Sequence, residues 1–269
     1  MFWMLVAGGG LFALVVLGVV GSMLGGRGKG PARAGADSGK PAAAPVVTAA
    51  AVPEKSDSAR LADAEPVIRG FLEATRVDDL LGYVRHPETA EPRMRRHYPG
   101  GVIQASGLSE IVIASGLTRT GRISSVSIRT GSHEEKPIAF EETPQGVKID
   151  WESWVGWSEM PWAGFMEARP TSASLFRVNL SAVDYFNFAF SDDRKWQSYR
   201  LESPDGEHAL FGYVEAGSVL DSRLKPPPDV KRTPMTLSLK FPENAASPNQ
   251  VIIEELVAEG WVLETSVKP

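Results

Sequence analysis

The stretch that decides the fold class is residues 138–152, which reads IAFEETPQGVKIDWE. Its first part places Ile138 and Phe140 two residues apart, as in a strand with one buried face. A turn signal follows at Thr143-Pro144-Gln145-Gly146. After it, apolar and charged residues alternate strictly through VKIDWE. The stretch therefore predicts two antiparallel strands joined by a tight turn.

Toward the N-terminus, the same period of two recurs at Ile111 and Ile113 and again at Val126 and Ile128. Before Gly100-Gly101 the period is helical, and one helix face carries a run of apolar residues: Leu61, Ala64, Val67, Ile68, Phe71 and Leu72. Asp63 is a plausible helix N-cap, which would place Pro66 in the first turn. Residues 63–98 are thus predicted to hold three helices, followed by four strands.

Three helices followed by an antiparallel run that ends in Lys148-Ile149-Asp150-Trp151 resembles the NTF2-like cone fold. The resemblance covers residues 59–152 and implies that the helices pack on the sheet. A longer pattern is similar to a family of membrane-anchored bacterial proteins without a characterised activity. Its matching motifs here are Tyr83-Val84-Arg85, residues 93–98, Asp150-Trp151-Glu152, Met160-Pro161-Trp162 and Phe241-Pro242. Membership in that family would imply no particular chemistry.

Toward the C-terminus, residues 153–269 exceed a cone domain by more than a hundred residues and are predicted to form a second, β-rich unit. Alternation or turn signals predict strands near residues 176–180, 186–190, 196–201, 208–214, 235–241 and 251–257. Residues 221–234 include Pro226-Pro227-Pro228 and are predicted to form an exposed extended loop. The expected fold class is α+β: an N-terminal transmembrane helix, the cone domain, and the β-rich unit.

The N-terminal segments precede these folded units. Residues 1–26 contain no ionisable side chain and are long enough to cross a bilayer, which predicts a single-pass anchor in the lipid. Residues 27–58 contain nine Ala, four Pro and four Gly, a composition typical of a disordered tether. Basic residues follow the anchor, but the composition of the tether is compatible with an exported domain. The side of the membrane that carries the folded part is therefore left open.

Composition excludes several classes of function. The chain has no cysteine, so disulfides, cysteine-ligated zinc, iron–sulfur clusters and thiol catalysis are ruled out. Four histidines, scattered along the chain, do not suggest a metal site. A net charge of −5 argues against a nucleic-acid partner. We therefore expect neither a metal, a cofactor nor a nucleic acid.

One dense basic cluster is a candidate binding site. It consists of Arg85, Arg93, Arg95, Arg96 and His97, and three of its members share a helix face at the spacing i, i+3, i+4. Such a face could receive a phosphate or an acidic partner. The alternative interpretation is a solvated face on an acidic domain.

A second candidate is an enclosed pocket between the helices of residues 63–98 and the sheet. Some cone-fold enzymes place an Asp base and a Tyr donor in such a cavity, where burial raises the pKa of the acid. Tyr83, Tyr98 and Asp150 are the candidates in this chain. Asp150, however, alternates with Ile149 and Trp151, which places it on the face opposite the apolar one.

The absence of a recognisable catalytic motif favours a membrane-tethered, non-catalytic interaction or scaffold module that binds a protein partner or self-associates. The alternative function is a small-molecule-binding or cone-fold enzyme domain that uses the pocket. The tryptophans of residues 151–162 could line a ligand groove, but a core or a seam between the two units is the preferred interpretation.

Overall fold

The computed structural model describes residues 55–264. Within them lie six helices: α1 (Asp57–Glu73), α2 (Val77–Leu80), α3 (Pro87–His97), α4 (Trp151–Val155), α5 (Trp162–Ala168) and α6 (Val219–Leu224). Short 3₁₀ turns occur at Pro99–Gly101, Ile113–Ser115 and Phe188–Phe190. The predicted transmembrane helix over 1–26, and the tether over 27–58 except for its last four residues, lie outside the described residues. Within the described part no helix has the length and apolarity needed to cross a bilayer.

Ten strands form two sheets. The first contains β1 (Leu108–Ile111), β2 (Thr118–Thr120), β3 (Ile123–Thr130), β4 (Glu135–Thr143) and β5 (Gly146–Ile149). Its order is β1-β3-β4-β5, and β2 pairs with β3 beside β1, so that β1 and β2 together form one interrupted edge. All pairs are antiparallel. Helix α1 packs its buried residues, Ala64, Ile68, Phe71 and Leu72, into the same core as the inner faces of β3 and β4.

The second sheet closes into a barrel of five strands: β6 (Ser174–Ala182), β7 (Trp196–Glu202), β8 (Ala209–Glu215), β9 (Thr233–Lys240) and β10 (Gln250–Glu259). Going around the barrel the order is β6, β7, β8, β10, β9, and every pair is antiparallel except β8 with β10. This is a closed five-stranded Greek-key barrel, the architecture of the OB-fold. Its interior forms a separate apolar core.

The predicted fold class is therefore wrong: the described chain is a β-rich α+β fold with two sheets, one of them a closed barrel. The predicted final strand of the cone ends at Ile149, and Trp151 begins helix α4 instead. The physical reason is the side chain of Asp150, which accepts a hydrogen bond from the Ser153 N–H and so caps a helix at this point.

Two smaller predictions also need correction. Helix α1 begins at Asp57, with Ser56 as its N-cap, so Pro66 lies in the helix interior rather than in a first turn after Asp63. The strand expected at residues 186–190 does not form. There the chain leaves the sheet and makes a loop, because the hydroxyl of Ser198 on β7 binds the backbone of the segment at residues 183 and 185.

Helix α6 is anchored by a buried carboxylate. Asp221 accepts hydrogen bonds from the Tyr199 hydroxyl (3.0 Å) and the Gly217 N–H (2.9 Å), and the Lys225 ammonium lies 3.3 Å away. Burial raises the pKa of Asp221, but these donors outweigh it and hold the pKa below its usual range. The charged form is therefore the one that stabilises the fold.

We expect Asp221→Asn to lower the free energy of unfolding by about 1–3 kcal/mol at pH 7, since one amide oxygen cannot replace a carboxylate for all three donors. Because the pKa of Asp221 is depressed in the folded state, its contribution is present above the unfolded value of about 4 and is lost as the pH falls through the folded value. Urea unfolding from pH 7 down to pH 3 should show the difference between the two proteins shrinking. A difference that stays constant over this range would contradict the assignment.

Candidate functional site

Arg177 is a fully buried charged side chain, with an exposed fraction of 0%. Its neighbours on β6, Phe176 and Val178, point into the barrel core, so the alternation of the strand directs Arg177 to the opposite face. There it donates from Nε to the Trp261 carbonyl (2.6 Å) and from Nη1 to the Trp157 carbonyl (2.7 Å). Burial lowers the pKa of Arg177, and the nearby carboxylates oppose this shift.

Glu152 connects this arginine to a second one. Arg177 Nη2 donates to Glu152 Oε2 at 3.0 Å, and Arg93 of α3 is bonded to the other oxygen of the same carboxylate. The Arg93 guanidinium also lies 4.5 Å from the ring centroid of Trp157, a cation–π contact. The second arginine is therefore buried and paired, and it belongs to the interior of the molecule.

A third arginine completes the group. Arg85 donates to Asp150 (2.5 Å) and to Glu141 of β4 (3.0 Å), and its Nη atoms reach the carbonyls of Leu263 and Glu264. We call the six side chains the arginine–carboxylate network: Arg85, Arg93, Arg177, Glu141, Asp150 and Glu152. Three positive and three negative charges balance formally. The network links the first sheet, α3 and α4 to barrel strand β6 and to the segment that follows β10.

The predicted basic cluster is divided by this arrangement. Arg85 and Arg93 are buried in the network, whereas Arg95, Arg96 and His97 are exposed. Arg95 pairs with Asp78 and Glu91, both at 2.7 Å. The five residues do not form one exposed basic surface, and the helix face of Arg93, Arg96 and His97 is split between interior and solvent.

Each of the predicted pocket residues has partners of its own. The Tyr98 hydroxyl accepts a hydrogen bond from Trp151 Nε1, and burial raises its pKa. The Tyr83 ring lies against Gly70 of α1, where an added methyl group would be only 2.6 Å from it. Asp150 is held by Arg85 and by its capping bond. A cavity of about 20 Å³ beside Arg85 and Asp150 has room for about one water molecule and none for a substrate.

A different feature stands out on the barrel, which we call the aromatic loop: residues 183–190, between β6 and β7. The loop is held on the outer face of the barrel. The Ser198 hydroxyl donates to the Val183 carbonyl (2.5 Å) and accepts from the Tyr185 N–H (3.1 Å). The Tyr185 ring stacks on the Phe211 ring of β8, with centroids 3.9 Å apart.

The far end of the loop is fixed as firmly. The Phe190 ring is parallel to the Tyr213 ring, with an angle of 2° and centroids 4.0 Å apart. The Tyr213 hydroxyl donates to the Tyr185 carbonyl, and Gln250 of β10 donates to both Tyr213 and Asn187. Two ring stacks and four side-chain hydrogen bonds therefore fix the loop against β7, β8 and β10.

At the tip of this rigid loop, Phe188 is 60% exposed and has a φ of 49°. A bulky residue with positive φ is conformationally strained, and such strain is concentrated at functional positions. Sequence reasoning missed this site because the alternation of Phe186, Phe188 and Phe190 is also the pattern of a strand. A usable signal was present: four aromatic residues occur within residues 185–190, directly before the charged run 192–195.

Comparisons with known proteins give no relatives: no family model, curated protein or solved structure matches this chain. The function must therefore be argued from the site itself.

Proposed function

We propose that this chain is a non-catalytic binding module that holds a protein partner on the aromatic loop of its barrel. The observation that carries the proposal is Phe188, an exposed aromatic residue with strained backbone on a loop that is held to the barrel at Val183, Tyr185, Asn187 and Phe190. A fixed loop loses little conformational entropy on binding, so the energy of burying the ring is retained as affinity.

The chemistry of the loop favours protein over nucleic acid. Aromatic residues are enriched at the buried centres of protein interfaces, where they supply most of the binding energy. Asp184, Asp192 and Asp193 are exposed around the loop beside Arg194 and Lys195, so the loop and its flank carry one net negative charge, and the whole chain carries a net charge of −5. A surface without a basic excess does not attract the phosphates of a nucleic acid. By fold-level analogy alone, barrels of this type bind oligonucleotides and oligosaccharides on the face of their second and third strands, here β7 and β8, and on the loop between their first and second strands, here the aromatic loop. The analogy therefore supports the position of the site, whereas the charge and the aromatic composition of the loop carry the choice of a protein partner.

The packing of the first sheet supports a module without catalysis over the enclosed-pocket alternative. Side chains fill the space between the helices and the sheet. The arginines and carboxylates of the network neutralise each other rather than face a reacting group. The network is better explained as the connection that fixes the barrel, and therefore its loop, on the rest of the molecule.

Phe188→Gly separates binding from folding. Glycine adopts positive φ without strain, and little buried surface is lost, so the free energy of unfolding is expected to stay equal or to rise by up to about 1 kcal/mol. Binding should be abolished because the exposed ring is gone. Thermal unfolding measures the first effect. Chemical cross-linking of tagged full-length chain in the cells that produce it measures the second.

The matched control is Val219→Ala, since Val219 is 80% exposed on α6, away from the loop. We expect the cross-linked complexes of the unmodified chain to persist in this variant and to disappear in Phe188→Gly. Co-production of two differently tagged copies identifies complexes of the chain with itself. Identical complexes in all three proteins would refute the proposal.

A further inference from the structure

A cavity of about 520 Å³ opens at the end of the barrel where β6 ends and β7 begins. Among its lining residues are Gln197 and Tyr199 of β7 and the segment that follows α6. Its size falls within the range of about 300–1,000 Å³ that is typical of small-molecule sites. None of its lining residues belongs to the aromatic loop, so it is a separate feature of the barrel.

The walls of this cavity combine apolar and polar surface in about equal parts. The apolar part of the lining comes from the buried Tyr199 and from Pro226-Pro227-Pro228 and Val230. Three consecutive prolines have fixed φ angles, so this wall needs little ordering when a ligand enters. An apolar molecular body can pack on this part of the lining, and the polar part is left for an acidic group.

The charges at the rim are positive. Lys225 and Lys231 both line the cavity and are exposed. The Lys225 ammonium forms an ion pair with Asp221, whose carboxylate also accepts hydrogen bonds from Tyr199 and Gly217. Lys231 has no carboxylate partner within residues 55–264. Asp229 is exposed in the same segment but does not line the cavity. An acidic group placed here would meet at least one ammonium without a competing anion.

We propose that this cavity binds a small organic anion, a molecule with an apolar body and a carboxylate or similar acidic group. The apolar body packs on the proline segment and Tyr199, and the acidic group lies at Lys231 and Lys225. The size of the cavity, its mixed lining and the positive charge at its rim together fit this class. The site is independent of partner binding on the aromatic loop.

The test uses the fluorescent sulfonate 8-anilinonaphthalene-1-sulfonate, which combines an apolar body with one negative charge, titrated into the folded full-length chain. Saturable binding is expected, and Lys231→Gln should weaken it about tenfold, as for the loss of one charge-assisted contact. Ala182→Trp, which places a large ring at the exposed cavity edge, should also weaken it. Lys240→Gln removes a lysine that pairs with Glu254 on the barrel, away from the cavity, and should have no effect.

Two further measurements distinguish this site from the aromatic loop and test the role of the apolar walls. Phe188→Gly should leave binding of the dye unchanged, which separates this site from the aromatic loop. Benzoate should displace the dye, whereas inorganic phosphate, which lacks an apolar body, should do so poorly. Equal affinity in the unmodified, Lys231→Gln and Ala182→Trp proteins would overturn the proposal. Displacement by phosphate as effective as by benzoate would overturn the role of the apolar walls.

Discussion

Replacing Arg177 by alanine is expected to lower the free energy of unfolding by about 3–5 kcal/mol, a large share of the stability of a typical domain. The substitution leaves the carbonyls of Trp157 and Trp261 without their donor. Each buried acceptor without a partner costs about 1–3 kcal/mol. Glu152 keeps Arg93 as its partner, which limits the loss.

Urea unfolding of the full-length chain measures this effect without the screening that an ionic denaturant introduces. The matched control is Arg95→Ala, which removes an arginine with two solvent-screened ion pairs at the surface and should change the free energy of unfolding far less. If Arg177→Ala does not fold, Arg177→Lys is measured instead. Lysine retains the charge but not the forked geometry of the guanidinium, so its loss of stability should exceed that of Arg95→Ala and be smaller than that expected for Arg177→Ala. Equal losses for Arg177→Ala and Arg95→Ala would show that the network does not support the fold.

The second large effect is expected for Gly156→Ala. Gly156 ends helix α4 with a φ of 61°, and a Cβ there would lie 2.3 Å from Cγ of Pro204, in the turn between β7 and β8. The left-handed conformation costs about 1–2 kcal/mol for a residue with a Cβ. The overlap with a proline ring, which cannot rotate away, adds about 1–3 kcal/mol.

Gly164 supplies the matched control. It lies inside helix α5, and an added methyl group would meet no atom within 4 Å. Gly164→Ala should therefore raise stability by about 0.5–1 kcal/mol, since alanine is the better helix former. The two Gly→Ala substitutions are therefore expected to change the free energy of unfolding in opposite directions. A loss below about 1 kcal/mol for Gly156→Ala, measured by urea unfolding, would contradict the close contact between α4 and the barrel turn.

Much of the local structure could be predicted from sequence. The alternation in residues 235–241 lies in β9 as far as Lys240, and the alternation around Val126 and Ile128 lies in β3. Alternation identifies which face of a strand is apolar, but it carries no information about which strand lies beside it. The parallel pairing of β8 with β10 joins strands separated by α6 and β9, so closure of the barrel could not be derived this way.

The candidate site was less predictable for a related reason. Arg85 and Arg95 are the same residue type ten positions apart, but one is buried in the network and the other is exposed. The difference depends on distant acceptors such as Glu141 and the Leu263 carbonyl, which no local pattern reveals. The aromatic loop was not predicted for the opposite reason. Its local pattern of alternating aromatic residues suggested a strand, but the hydrogen bonds that Ser198 makes to the loop backbone hold it outside the sheet.

Binding of a protein through Phe188 can be tested by placing a photo-cross-linking amino acid at position 188 of the full-length chain, and at position 219 in a parallel protein, and irradiating the producing cells. We expect a discrete protein adduct, with another protein or with a second copy, at position 188 and none above background at 219. The same adducts at both positions, or none at position 188, would contradict it.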